Sequence, residues 1–479
     1  MGTKYIIGVD NGSQSSKVTI FDTEGRVVSE GKQALRPMNL PKPGHVEHPD
    51  DDLWESIVIA CRKAMENFTG NPNDIIGVGL CTIRFCRALL REDGRLAYPV
   101  LSWMDVRVSS PYEHEDDSVR YVTTSSGYIT HRFTDRFVDT AANYQGQWPI
   151  DTDTWDWSDD PEVIKHFQIP KEMLFQLQMP GTVLGKVTAE ASWETGIPTG
   201  LPVIATANDK AVEALGSGSL EGHTALVSLG TYIAAMIHGP KNLKETSHLW
   251  TNFSSVPNRY LYESFGIRRG MWTVSWLTKL LGGGVASEAR ELGISAEELL
   301  NREASQVPPG CNGLMTVLDW LAPSDAPYKR GSILGFNASH TRAHMYRSIL
   351  EAIALTMKNR TDEMCQELGI ELESLVLSGG GSKSDLMVQI FADVFGKPVS
   401  RNVFSDAAGL GSAILVATAL GIYDSVDEAV QYMVKRQDTV QPIAENYAFY
   451  QKFNEEVYRT IPHYSSDEIY KRAYSIFGD

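Results

Sequence analysis

The stretch Ile7-Gly8-Val9-Asp10-Asn11-Gly12-Ser13-Gln14-Ser15-Ser16-Lys17 decides the reading of this chain. A short apolar, β-branched run from Tyr5 to Val9 stops at Asp10-Asn11-Gly12-Ser13. A second run, Val18-Thr19-Ile20-Phe21, then resumes before a further turn at Asp22-Thr23-Glu24-Gly25. Apolar runs separated by turn residues predict a β-hairpin, which Val27-Val28 extends into an antiparallel meander. The first turn gathers a carboxylate, backbone amides freed by glycine, several hydroxyls and one cation, the groups that hold phosphate and Mg2+. Alone, such a turn fits a solvated Asn-Gly hairpin as well.

The theme recurs farther along. Ala225-Leu226-Val227-Ser228-Leu229-Gly230-Thr231-Tyr232-Ile233-Ala234 is a strand with a Gly-Thr turn that echoes the first, and the two segments open the two halves of the chain. Ser374 to Ser378 reads as a strand that meets Gly379-Gly380-Gly381 and then a helical pattern through Leu386, Ile390 and Ala392. Three glycines let a flat ligand approach the backbone, and a helix N-terminus favours phosphate.

Acids and guanidinium groups fall between these turns. Ile75 to Cys81 predicts a buried strand leading into Thr82-Ile83-Arg84, with Ala88-Leu89-Leu90 returning as another, so Arg84 sits where a strand ends at a cleft. Val100 and Leu101 read as a further strand, followed by Trp103, Asp105 and Arg107. An aromatic face for C–H groups and charged groups for hydroxyl pairs are what a sugar needs. The other reading of that set is an Asp105–Arg107 contact beside a core tryptophan. Pro202 to Ala207 predicts a buried strand ending at Asn208-Asp209-Lys210 before a helix through Leu215. A carboxylate at such a junction can face a cleft and serve as general base, and Asp209 reads equally as an N-cap. His48-Pro49-Asp50-Asp51-Asp52 reads as a helix start rather than a metal site.

A length of 479 residues predicts two domains, placed at 1–220 and 221–479, with a hinge between Ala214 and Thr224 where Gly216, Gly218 and Gly222 interrupt the pattern. Forty-three Lys and Arg against 60 Asp and Glu give a formal charge of −17, which disfavours nucleic acid and anionic membrane and favours a partner that is small or carries a cation. Asp10 comes too early for a signal peptide, and no run approaches the ~20 apolar residues of a membrane span, so a cytoplasmic protein is expected. The five cysteines lack CxxC spacing and read as reduced, packed thiols.

In this order the segments resemble the FGGY carbohydrate kinase family, which includes xylulokinase, glycerol kinase and ribulokinase. Ile7 to Lys17 is similar to its first phosphate motif, Ser228-Leu229-Gly230-Thr231 to its second, and Ser378 to Gly381 to its adenosine motif. Gly331 to Phe336 with His344 to Glu351 is similar to its C-terminal signature, Phe336 standing where a smaller aliphatic is usual, and Ala407 to Ala413 to the helix behind the nucleotide.

The resemblance covers nearly the whole chain. It implies an α/β, two-lobed fold like that of actin and hexokinase, with duplicated ribonuclease H-like domains and a cleft between lobes. It implies ATP and Mg2+, with Asp10 helping to hold the metal and Gly12, Ser13 and Lys17 contacting phosphates. Gly230 and Thr231 would meet the γ-phosphate, while Gly379, Gly380 and Gly381 line the adenosine. Asp209 would accept the proton of the substrate hydroxyl, in a substrate site with Arg84, Trp103 and Asp105. Family frequency favours a ketopentose, tetritol or pentitol and allows a homodimer; the alternative is a sugar-binding regulator without turnover. Two departures stand out. Thr82-Ile83-Arg84 replaces the Met-His-Gly of xylulokinase, and Ser125 to Thr134 follows Arg107 so soon that a helical substrate-side portion is missing. The shortened 108–124 segment, with Glu113-His114-Glu115-Asp116-Asp117, reads as a tight acidic bend. Asn143 to Trp148 offers replacement polar and aromatic groups or an ordinary packed turn.

Overall fold

In the computed structural model, which describes residues 3–323, 325–404 and 406–478, the opening hairpin forms where the sequence puts it. Strands β1 (Tyr5–Asn11) and β2 (Ser15–Asp22) pair antiparallel with Asp10 opposite Lys17, and β3 (Val27–Ala34) continues the meander. Helix α1 (Asp52–Glu66) leads to β4 (Ile75–Thr82), which lies parallel to β1. After α2 (Ser125–Thr134) come β5 (Val183–Lys186) and β6 (Pro202–Ile204), completing a six-stranded sheet of order β5-β6-β4-β1-β2-β3.

Helix α3 (Asp209–Gly216) precedes the second lobe, whose strands β7 (Thr224–Leu229), β8 (Ile233–Gly239), β9 (Leu249–Phe253) and β10 (Tyr260–Ser264) form a second meander. The long helix α4 (Arg342–Leu368) leads to β11 (Ser374–Ser378), α5 (Asp385–Phe395), β12 (Val399–Asn402), α6 (Ala407–Ala419) and β13 (Arg436–Val440). The second sheet runs β9-β10-β8-β7-β11-β12-β13. Its core order, β10-β8-β7-β11-β12, matches β3-β2-β1-β4-β6 of the first, three antiparallel strands followed by two parallel ones. This is the duplicated, two-lobed α/β architecture expected.

The two-residue period of β1 sorts its side chains. Ile7 and Val9 pack with Trp54, Tyr128 and Phe133 beneath α1 and α2. Ile6 points the other way, into the core that holds Phe21, Val212 of α3 and Ile414 of α6. Gly8 and Asp10 share the side of Ile6, which carries the Asp10 carboxylate towards the junction of the lobes. Helix α6, from the second half of the chain, closes that face. It lies so near that a methyl at Gly8 would come 2.3 Å from the Gly409 carbonyl oxygen, and one at Gly411 would come 1.9 Å from that of Val212.

Some local expectations change. Val100-Leu101 is no strand: Leu101 makes only isolated bridges to Glu47 and Arg87, because Pro99 before it has no N–H to extend a ladder. The acid run is a helix start. Arg36 holds Asp50, Asp52 and Glu55, and Arg132 holds Asp51. All five cysteines are free and buried. The acidic bend at 113–117 precedes a short strand, Tyr121–Thr123, paired with Ala88–Leu90. Among the described residues no helix is long and apolar enough to cross a membrane.

Candidate active site

Three turns and the head of α3 converge between the lobes. In the first turn the Gly12 amide donates to the Ser15 carbonyl at 3.1 Å, leaving Ser13 and Gln14 exposed. In the second, the carbonyls of Gly230 and Thr231 accept from the amides of Met271 and Gly270, at 3.1 and 2.7 Å. That fixes the backbone and leaves the Thr231 side chain exposed. Gln14 Nε2 donates to Thr231 Oγ1 at 3.4 Å, so the two turns face each other across the cleft. In the third turn Gly379 has φ +76° and lies against the Leu229 carbonyl, where a methyl would sit at 2.8 Å, whereas Gly380 faces open space. The glycine next to Leu229 is demanded by the fold, and the open one leaves backbone uncovered for a ligand.

The N-cap of α3 is Asn208, whose side chain accepts from the amides of Lys210 and Ala211. Asp209 is therefore the first helical residue; its Oδ1 shares the Lys210 amide at 2.9 Å, and Asn208 alone caps Ala211. That carboxylate is partly exposed and lies 3.9 Å from Arg84 Nε. Burial pushes its pKa above the usual carboxylate value, against the pull of Lys210 and Arg84. Arg84 itself is gripped by Glu263 of β10 through two contacts of 2.7 and 3.1 Å, and Asn252 of β9 steadies Glu263 at 3.0 Å.

Asp10 is the most perturbed carboxyl of the group. Burial, then repulsion from Asp406 and Asp209, pushes it up to about 8, and the Cys81 thiol donates to it at 3.6 Å. Lys17 is ion-paired with Asp406, at the start of α6. A hard carboxylate oxygen in a neighbourhood with more anions than cations fits Mg2+, which is usually held by one or two carboxylates together with substrate phosphates.

The substrate residues divide. Arg84 lies beside Asp209. Trp103 is 48 % exposed, and its segment runs beside Arg84's through the Leu101–Arg87 bridge, so its ring stays available. Asp105 does not stay available. Its oxygens accept from the amides of Val46 and Arg107 and pair with the Arg107 guanidinium, which leaves no capacity for a sugar hydroxyl. The Asp105–Arg107 contact is the reading that holds. Arg107 also sits against Glu47, which together with His45 and Asp105 makes the one tight group of metal-binding side chains among the described residues. Its acids are already neutralised by a guanidinium. Glu263, Asn252 and Asp406 join the site from positions that no motif marks, and the contacts of Gln14, Lys210 and Glu213 are not disclosed by the motifs they stand in or beside.

The model of the FGGY family of carbohydrate kinases, C-terminal domain, matches residues 225–420. That of the N-terminal domain matches 5–116 and 112–216, two pieces that meet within the acidic bend. The chain is 51 % identical over 476 residues to the sugar kinase YgcE of Escherichia coli (strain K12), covering 99 % of this chain and 96 % of that protein. Among solved structures, xylulose kinase from Rhodospirillum rubrum superposes with a TM-score of 0.80 at 22 % identity, covering 99 % of both chains. Plasmodium falciparum glycerol kinase with ADP does so with a TM-score of 0.79 at 19 % identity, covering 96 % of this chain and 98 % of that one. With both lobes matched by the family and a close relative over its whole length, this chain belongs to the FGGY family of carbohydrate kinases and is an ATP-dependent sugar kinase.

Proposed function

We propose that this kinase transfers the γ-phosphate of ATP to a hydroxyl of a neutral ketopentose, tetritol or pentitol, with Asp209 as general base. The observation that carries the reading is the placement of Asp209. It is a carboxylate at the head of a helix capped by its neighbour Asn208, 3.9 Å from Arg84, and the next residue, Lys210, bonds Ser228 just ahead of the Gly230 turn.

Asp209 accepts the hydroxyl proton as the substrate oxygen bonds to the γ-phosphorus and the bond to the β–γ bridging oxygen breaks, releasing ADP. Its raised pKa brings it nearer to neutrality and makes it a better acceptor than an exposed aspartate. The exposed Ser13, after the Gly12 turn, and the turn at Gly230 and Thr231 present amides and hydroxyls to the phosphates, Lys17 would exchange its Asp406 partner for them, and the open edge at Gly380 receives the adenosine. Asp10 would hold Mg2+, which when bound neutralises charge on the phosphates.

The preference for a neutral substrate follows from Arg84. Its charge is matched by Glu263, which is only 2 % exposed, so the guanidinium offers hydrogen-bond donors without spare positive charge for an acidic sugar. Trp103 supplies an aromatic face.

ATP consumption by the purified protein with Mg2+, across pentuloses, hexuloses, tetritols, pentitols, glycerol and a no-sugar control, tests this. ADP release dependent on one or two neutral members is the expected result. Ligand-induced rises in melting temperature with turnover on none would make the protein a sugar-binding regulator.

A further inference from the structure

A polar cluster of two part-buried charged side chains and two buried serines lies directly behind the site. Lys210 follows the base Asp209, and Glu213 stands one turn farther along α3. Lys210 Nζ donates to Glu213 Oε2 at 2.9 Å and to Ser228 Oγ at 2.7 Å. Glu213 Oε2 also accepts from Ser228 Oγ at 2.9 Å, and its other oxygen accepts from Ser378 Oγ.

These two serines are direct partners in the parallel β7–β11 ladder, at its last rung. Ser228 stands two residues before Gly230 and Ser378 one residue before Gly379. The two oxygens of one carboxylate therefore hold the roots of both nucleotide turns of the second lobe, from the helix that begins with the base.

Packing alone does not call for this arrangement. An ion pair largely removed from water is seldom more stabilising than apolar side chains of the same volume, and the rest of α3 is built with such side chains, Ala211, Val212, Ala214 and Leu215 lying in the core. Burial pushes Glu213 up, but Lys210 and the serine hydroxyls outweigh it and hold the carboxyl below its ordinary value, so the pair stays charged. It is a stiff link between two elements that bind different ligands.

We propose that Lys210 and Glu213 are positioning residues that carry nucleotide occupancy from the turns at Gly230 and Gly379, through Ser228 and Ser378, to Asp209. The proposal rests on the reading of Asp209 as base and of these turns as the nucleotide site. Ordering the turns fixes the two serines, the serines fix Glu213, and α3 is held at the angle that aims Asp209.

Hydrogen exchange of the segment 205–216 in the full chain, with and without Mg2+ and the non-hydrolysable analogue AMP-PNP, tests the link without knowledge of the sugar. In the wild type the nucleotide is expected to slow exchange in α3 about tenfold. Glu213→Gln, and the gentler Ser378→Ala, should bind the analogue within about threefold of wild type yet show less than about a twofold slowing. If Glu213→Gln does not fold, Ser378→Ala reads the link alone. Slowing equal to wild type in nucleotide-bound Ser378→Ala overturns the proposal, as does exchange raised equally with and without nucleotide, the mark of mere packing. A wild type that gains no thermal stability with the analogue removes the nucleotide site itself, and the link falls with it.

Discussion

Arg84, two residues past the end of β4 in the first lobe, and Glu263, on β10 in the second, form a two-point ion pair at 2.7 and 3.1 Å across the cleft. Removing the guanidinium strands a buried carboxylate, which typically costs about 3–5 kcal/mol. Arg84→Ala is accordingly expected to lower stability by that order, with Glu263→Gln milder because the amide still bonds Arg84. Urea denaturation midpoints of the two variants make the comparison. A loss below about 1 kcal/mol for Arg84→Ala would mean the pair is solvated in the apo protein.

Asp209→Asn is expected to lower kcat by about 10²–10⁴ while nucleotide affinity stays within a few-fold. The helix start should survive, because Asn208 and not Asp209 is its cap. Turnover measured beside ADP binding by calorimetry separates the two roles. Loss of nucleotide binding would make Asp209 structural.

Asp10→Asn keeps the shape of the side chain and removes the hard anionic ligand. The Mg2+ concentration for half-maximal activity should rise about 10- to 100-fold, the range seen when even outer partners of a metal site are lost. A titration curve superimposable on that of the wild type would place the metal elsewhere.

His48 gives the pH prediction. It is 1 % exposed, neither ring nitrogen has a hydrogen-bond partner, and burial lowers its pKa to about 4 against the opposing pull of Asp52. The unfolded chain takes up a proton below about 6.5 that the folded protein refuses until about 4. This contribution to stability is thus complete above pH 6.5 and is lost as pH falls towards 4, at up to about 1.4 kcal/mol per pH unit. His238, also lowered to about 4 by burial, acts in the same sense. His48→Leu should flatten the fall in urea midpoint between pH 7 and 5; an unchanged slope would show that the ring is already protonated or hydrated in the fold.

What the sequence disclosed was whatever is written locally. The β1–β2 hairpin, the strand-to-helix junction at Asp209 and the strand ending in three glycines each occupy a dozen residues or so, and all three appear where read. What it concealed were partners far apart in the chain: Glu263 stands 179 residues from Arg84, Asp406 stands 389 from Lys17, and Ser378 stands 165 from Glu213. One signal was present. Glu263 follows Tyr260-Leu261-Tyr262 in a strand that is buried throughout, and a charge so placed requires a counter-charge. Asp105 misled because the same residue types serve a sugar or a local ion pair, and only the amide of Val46, 59 residues away, decides between them.

The closure of the first lobe by α6 has a consequence for biosynthesis. The face of β1 and α3 that receives Gly409 and Gly411 belongs to a segment finished at Gly216, while the helix that covers it begins at Ala407. At ordinary rates of translation that interval lasts roughly 10–40 s, during which the glycine-lined groove of the nascent first lobe has no occupant. The first lobe to be synthesised is therefore sealed late, by a helix made after most of the second.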